Sequence, residues 1–102
     1  MPPAFSIILS KAALEHLQSI DRKYHRVLRN EILEQLSFEP FLETRNRKSL
    51  DPPILGATWE LHCGTSNRYR VLYEPFEDTI LITAIGEKRG SQLWIGNEEV
   101  IE

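Results

Sequence analysis

Cysteine is nearly missing from this chain: Cys63 stands alone among 102 residues. A lone thiol builds neither an internal disulfide framework nor a cysteine-rich zinc site. No apolar run approaches the roughly 20 residues of a membrane span. The opening MPPAFSIILS has no basic leader and no small-residue cleavage site, so its short apolar run reads as a strand and the cytoplasm is the expected compartment. The five glycines are scattered and match neither common phosphate-loop spacing. Repeats and low-complexity segments are absent. A basic excess is absent too: 12 Lys/Arg stand against 15 Asp/Glu, a net charge of −3, which counts against indiscriminate binding to nucleic acid. The charge is uneven, with eight Lys/Arg against six Asp/Glu in residues 1–50 and four against nine in residues 51–102.

What remains is an ordinary globular composition and enough length for one core, so residues 1–102 are expected to form a single domain. Its organising stretch is Thr58 to Tyr73, TWELHCGTSNRYRVLY. Two alternating runs flank Gly64, Thr65, Ser66 and Asn67, residues that favour turns, and the pattern predicts a β-hairpin. Alternation puts Trp59, Leu61, Cys63, Tyr69, Val71 and Tyr73 on one face. The other face would carry Glu60, His62, Arg68 and Arg70. Taken singly, each of these four is what the solvated outer face of a half-buried sheet normally shows. Taken together they are a base, an imidazole and two guanidiniums on one surface.

Around the hairpin the pattern alternates between helix and strand. Ala4 to Leu9 predicts a first strand. Ser10 is placed to cap a helix whose apolar stripe is Ala13, Leu14, Leu17 and Ile20. Asp21 is placed to cap a second helix of about 16 residues, with Val27, Leu28, Ile32 and Leu36 buried and Tyr24 and Leu33 flanking them. Its opposite face, Arg22, Lys23, Arg26, Arg29, Asn30 and Glu34, reads either as solvated or as a surface for phosphate or an acidic partner. Pro40 ends this helix. Glu39 to Ala57 then reads as a long connection, stiffened by Asp51-Pro52-Pro53 and carrying Arg45, Arg47 and Lys48 as a small basic patch. Thr79 to Ile85, apolar on both faces, belongs in the middle of a sheet. Lys88 and Arg89 follow its end, and Leu93 to Ile95 is expected to pack back as a short strand or turn. The predicted class is α+β, a two-helix hairpin on one face of a curved, mainly antiparallel four-stranded sheet in the order β-α-α-β-β-β.

The fragments RNRKSL, WEL, RYRVLY, TAIG, KRG, LWIG and EEV, in that order and spacing, resemble the RelE/ParE superfamily of type II toxin–antitoxin toxins, over nearly the whole chain. The resemblance implies a bacterial-type toxin restrained by a cognate antitoxin protein. Many members of the superfamily cut messenger RNA on the ribosome without a metal or other cofactor, using a base, an acid and cations on the developing phosphorane charge; the ParE branch instead poisons DNA gyrase. Carried over by position, Arg70 falls where the family places its phosphate-binding arginine, and Lys88 and Arg89 where further cations sit. Trp94 takes the place of a tyrosine that stacks on the substrate base. Glu60 matches a carboxylate used as base in one branch, and His62 stands where many relatives have arginine. The expected catalytic set is thus Glu60, His62, Arg70, Lys88, Arg89 and Trp94, with Arg45, Arg47, Lys48 and Arg68 binding RNA or a partner. Three activities fit this resemblance. The first is a ribosome-dependent mRNA endoribonuclease. The second is a gyrase-directed toxin without chemistry of its own, and the third a degenerate member that only binds its antitoxin. The chain departs from the ribonucleases in its acidity and in the strand TWELH, which has no lysine.

Overall fold

The structure, a computed structural model, describes residues 4–100; the two ends of the expected 1–102 domain lie outside the described residues. Strand β1 (Ser6–Leu9) leads into helix α1 (Lys11–Gln18). Ser10 caps that helix as its sequence predicts, its Oγ accepting from the Ala13 amide at 3.0 Å. Asp21 accepts from the Lys23 amide at 3.1 Å and opens a single 3-10 turn that runs straight into α2 (His25–Leu36). Ala13, Leu28, Ile32 and Leu36 are buried, with Leu17, Ile20 and Tyr24 packed beside them. Leu14 and Val27, expected in the buried stripes, are instead 47% and 46% exposed. Each lies on the shoulder of its helix, where a stripe of 3.6-residue period drifts off the contact line.

The sheet is larger than expected. Its core is the predicted hairpin, β3 (Ala57–Cys63) and β4 (Tyr69–Phe76), followed by β5 (Thr79–Arg89). Three strands join these and β1: β2 (Arg47–Ile54), β6 (Gln92–Ile95) and β7 (Glu98–Val100). The order is β2-β3-β4-β5-β6-β7, with β1 alongside β5, so seven strands replace the four predicted. β5 is central, as its doubly apolar sequence requires. One edge pairs with β4 along its length. The other pairs first with β1, in parallel from Thr79 to Ile82, and then with β6, from Gly86 to Arg89.

β2 occupies the stretch read as a long connection. Its Asp51-Pro52-Pro53 hides it from a sequence reading, because proline cannot donate to a ladder. On an edge strand that loss is tolerated, and β2 departs from regular register between Ser49 and Ile54, where the prolines lie.

The helices cover one side of the sheet. Leu61, Cys63, Tyr69, Val71, Tyr73, Ile80, Ile82 and Ile85 face them, and Trp59 stacks on Tyr73 with ring centroids 6.2 Å apart. The step from Ile82 to Ile85 is odd-numbered because Thr83 is an extra residue in the β4–β5 ladder: Tyr73 pairs with Ile82, and Leu72 with Ala84. The outer side has a smaller core of its own. Leu72, Ala57, Ala84, Leu93 and Ile95 are buried there beneath Leu50 and Ile54 of β2 and Val100 of β7. Both sheet edges therefore curl over the same outer cluster, leaving a cleft of about 550 Å³ between them. Among the described residues no helix is long and apolar enough to cross a membrane.

Candidate functional site

The β3–β4 connection sets the register of the candidate residues. Gly64 turns with φ +82°, and Ser66 and Asn67 follow with φ of +57° and +55°. A Cβ on Gly64 would meet the Tyr69 ring at 2.6 Å, so glycine is required there both by φ and by space. Glu31 of α2 fixes this turn from outside, accepting from the Gly64 amide at 2.5 Å. The hairpin then closes with Cys63 opposite Tyr69 and His62 opposite Arg70, a register set by the five residues Gly64 to Arg68 between the paired ends.

Side-chain direction follows from two neighbouring rows. His62, Arg70, Gly86 and Ile95 lie in line across β3 to β6, and Ile95 belongs to the outer core. Tyr69, Glu87 and Trp94 form the next row, and Tyr69 belongs to the helix-side core. Successive residues alternate sides. Glu60, His62, Arg70 and Lys88 therefore point outward, whereas Arg89 and Trp94 lie on the helix side. The expected catalytic set is split between two faces of the sheet.

On the outer face His62 Nε2 lies 2.6 Å from Glu60 Oε1, an i,i+2 pair along one strand, with each side chain about one-fifth exposed. Arg70, although opposite His62, turns its Nη1 back to the carbonyl oxygens of Asn67 and, at 3.3 Å, Tyr69. Burial draws its pKa down from the ordinary guanidinium range, and Glu60 partly offsets this; a guanidinium stays charged regardless. Beneath the hairpin, burial pushes the Cys63 thiol up to about 12, so the only cysteine is an inert core residue.

Arg68 does not join this face. It sits in helical backbone, φ −64° and ψ −30°, at the end of the turn, where strand alternation does not yet apply. Its Nε instead donates to Glu87 Oε2 at 2.5 Å, and the guanidinium lies over the Tyr24 and Tyr69 rings. Arg89 donates to the other Glu87 oxygen at 2.7 Å and covers the Trp94 ring at 4.9 Å. Of the loop cations, Arg45 and Lys48 are exposed. Arg47 is 7% exposed, and its guanidinium donates to the carbonyl oxygens of Leu42 and Gln35. Its expected contact with RNA or a partner is incompatible with that position: it holds the chain after α2 in place.

A cleft of about 640 Å³ opens where the α2 start, the β3–β4 turn and the end of β5 meet. Arg68, Arg70, Lys88 and Tyr24 line it, and Glu60 and His62 do not. Cations are thus gathered at one end of the sheet, with the candidate acid–base pair outside their cleft.

A family model for the ParE toxin of the type II toxin–antitoxin system, parDE, matches residues 7–91. The chain belongs to this family. No curated protein matches the sequence. As a ParE-family toxin it has a cognate antitoxin as its partner, and the match reaches from β1 through all but the C-terminal β6–β7 hairpin. Two residues of this candidate site carry no signal in the sequence. Glu31 is one charge among several on a polar helix face, and only the packing of α2 against the turn singles it out. Glu87 lies in the fragment EKRG, but its role depends on Arg68, 19 residues away.

Proposed function

We propose that this toxin acts by docking on a protein target, DNA gyrase as in the ParE branch, without chemistry of its own. One observation carries the reading: the six residues expected to cleave RNA are divided between two faces of the sheet. Proton transfer would fall to Glu60 and His62 outside the sheet, while Arg89 and Trp94 lie on its other side. The indole face that would stack on a base is covered by Arg89. In-line phosphoryl transfer needs base, acid and cations around one phosphate; Arg70 and Lys88 share the outer face with Glu60 and His62, but Arg70 turns its guanidinium back to the Asn67 carbonyl oxygen, and Arg89 and the stacking ring of Trp94 lie on the other face.

A second reading, ribosome-dependent cleavage of mRNA, is favoured by the Glu60–His62 contact and by His62 lying opposite Arg70. Supercoiling by purified gyrase, run beside primer extension on a translated message, separates the two. The docking reading expects blocked supercoiling and an intact message, with His62→Gln as toxic as the wild type. Cleavage of the message, with a loss of on the order of 10² to 10³ in rate for His62→Gln, would replace it by the ribonuclease reading.

The antitoxin, in this proposal, covers the helical face. An apolar groove of about 420 Å³ runs between β1, α1 and α2, floored by Ile7, Leu9, Leu28 and Ile32. His25 and Arg29 border it, and Arg22, Lys23 and Arg26 are exposed near the start of the same helix. An amphipathic segment with acidic flanks fits such a surface. Co-purification of the toxin with the product of its neighbouring gene tests this, and a Leu28→Asp toxin that still co-purifies in full would count against the groove.

A further inference from the structure

Glu87 is held by two guanidiniums at once. Arg68 Nε reaches one carboxylate oxygen at 2.5 Å and Arg89 Nε the other at 2.7 Å. The carboxylate side chain is 16% exposed, while the two arginines are 50% and 49% exposed. Each guanidinium is also backed by aromatic rings, Arg89 by Trp94 and Arg68 by Tyr24 and Tyr69. Cation–π contact and the shared carboxylate fix both planes. Only the Nε donors are used, and among the described residues the Nη groups of Arg68 and Arg89 make no hydrogen bond. The triad carries two positive charges and one negative, leaving one positive charge unmatched. Burial alone would raise the Glu87 pKa, but the two guanidiniums bring it below the ordinary carboxylate range, so Glu87 is ionised at neutral pH.

The triad lines a small cleft of about 190 Å³ between the loop after α1 and the β6–β7 turn. Trp94 lines it as well, and its Nε1 is buried without a hydrogen-bond partner. A buried indole N–H facing no acceptor is costly to leave so. Three features therefore coincide: two oriented guanidiniums with free N–H groups, an excess positive charge in the triad that Asp21 of the cleft wall faces without an ion pair, and an unsatisfied donor.

We propose that this cleft binds a carboxylate of a protein partner, an Asp or Glu side chain, through the Nη groups of Arg68 and Arg89 and the indole N–H of Trp94. Glu87 holds both guanidiniums and is itself the pattern for the ligand, a carboxylate with one oxygen for each arginine. Nothing in this assignment depends on whether the toxin poisons gyrase or cuts RNA, so the supercoiling assay can fail without affecting it.

The test uses the full chain, isotope-labelled, with the Trp94 indole and Glu87 backbone N–H signals as reporters. The probes are an end-blocked tripeptide with a central Glu, its Gln counterpart and a dinucleoside monophosphate. The Glu peptide should move both signals and the Gln peptide should not. Glu87→Gln, which removes the competing charge but keeps an acceptor, should bind the Glu peptide about tenfold more tightly. Arg89→Gln should lose at least that factor. Trp94→Phe, read at the Glu87 amide, should bind several-fold more weakly. Equal shifts with both peptides, or no shift of Trp94 at any concentration, overturns the proposal. Tighter binding of the dinucleotide than of the Glu peptide overturns it in favour of a phosphodiester site.

Discussion

The guanidinium of Arg47, at the start of β2, donates to the carbonyl oxygen of Gln35 in the last turn of α2. That carbonyl is one of the four that a helix C-terminus leaves without an intrahelical partner. A second donation, from Nε to Leu42 O at 3.1 Å, ties down the intervening loop. A cation at this end of a helix also suits its dipole. One side chain thus joins the helical layer to the sheet edge.

Removing that joint should destabilise the fold without touching an exposed surface. Arg47→Gln is expected to cost about 2–4 kcal/mol, since hydrogen bonds from a charged donor are among the stronger ones and two carbonyls lose their partner. Lys48→Ala, one residue on and exposed, should change stability by less than about 0.5 kcal/mol. Urea unfolding of both variants checks this, and equal midpoints would remove the structural role of Arg47.

Tyr73 is fully buried, yet its phenol donates to the carbonyl oxygen of Pro40 at 2.7 Å. Burial raises the phenol pKa far above its ordinary value, so the O–H is a permanent donor. Tyr73→Phe keeps the ring packing against Trp59 and leaves the carbonyl unpaired. The expected cost is about 1–3 kcal/mol, read as a lower thermal midpoint with unchanged near-ultraviolet dichroism.

Gly86 separates Arg70 from Ile95 in the outer-face row. A Cβ there would sit 2.7 Å from both the Ile95 side chain and the Trp94 carbonyl oxygen. A side chain can move, but a backbone carbonyl within a ladder cannot without shifting β6. Gly86→Ala should therefore loosen the β6–β7 hairpin, at a cost of about 1–3 kcal/mol. Faster hydrogen exchange at the β6 amides, with the β3–β4 ladder unaffected, is the expected signature; uniform protection would contradict it.

His16 reaches from α1 to the free edge of β5, where its Nδ1 accepts from the Ile85 amide at 3.3 Å, and a Cβ built on Gly96 of the β6–β7 turn would meet its ring at 3.4 Å. Burial lowers its pKa below 6.5, and neighbouring Glu15 opposes this only in part. The unfolded chain therefore binds the proton more readily than the folded one. The stability His16 contributes is complete above the unfolded value of 6.5 and is lost as pH falls from there through the folded pKa. His16→Asn, which retains an acceptor but does not titrate, should flatten the urea midpoint against pH in that window. An unchanged slope would assign the dependence to other groups.

The sequence by itself determined the elements whose signals are local. The cap at Ser10, the hairpin with its turn at Gly64, the alternation from Trp59 to Tyr73 and the central position of Thr79 to Ile85 all follow from residues a few positions apart. The chain-long resemblance pointed to the toxin family, now matched over residues 7–91, and the length of the β3–β4 connection to the pairing of His62 with Arg70. Only the tertiary structure decided what depends on distant partners. β2 is a strand because an edge tolerates Pro52 and Pro53, and Arg47 is buried because the carbonyls of α2 and its following loop need a donor. Arg68 leaves the expected site because its helical backbone lies outside the alternating run, and Arg89 and Trp94 fall on the helix side because the bulge at Thr83 and the β5–β6 register put them there. A two-residue period fixes which neighbours share a face within one strand; which strand ends meet, and on which side, is set by packing between them.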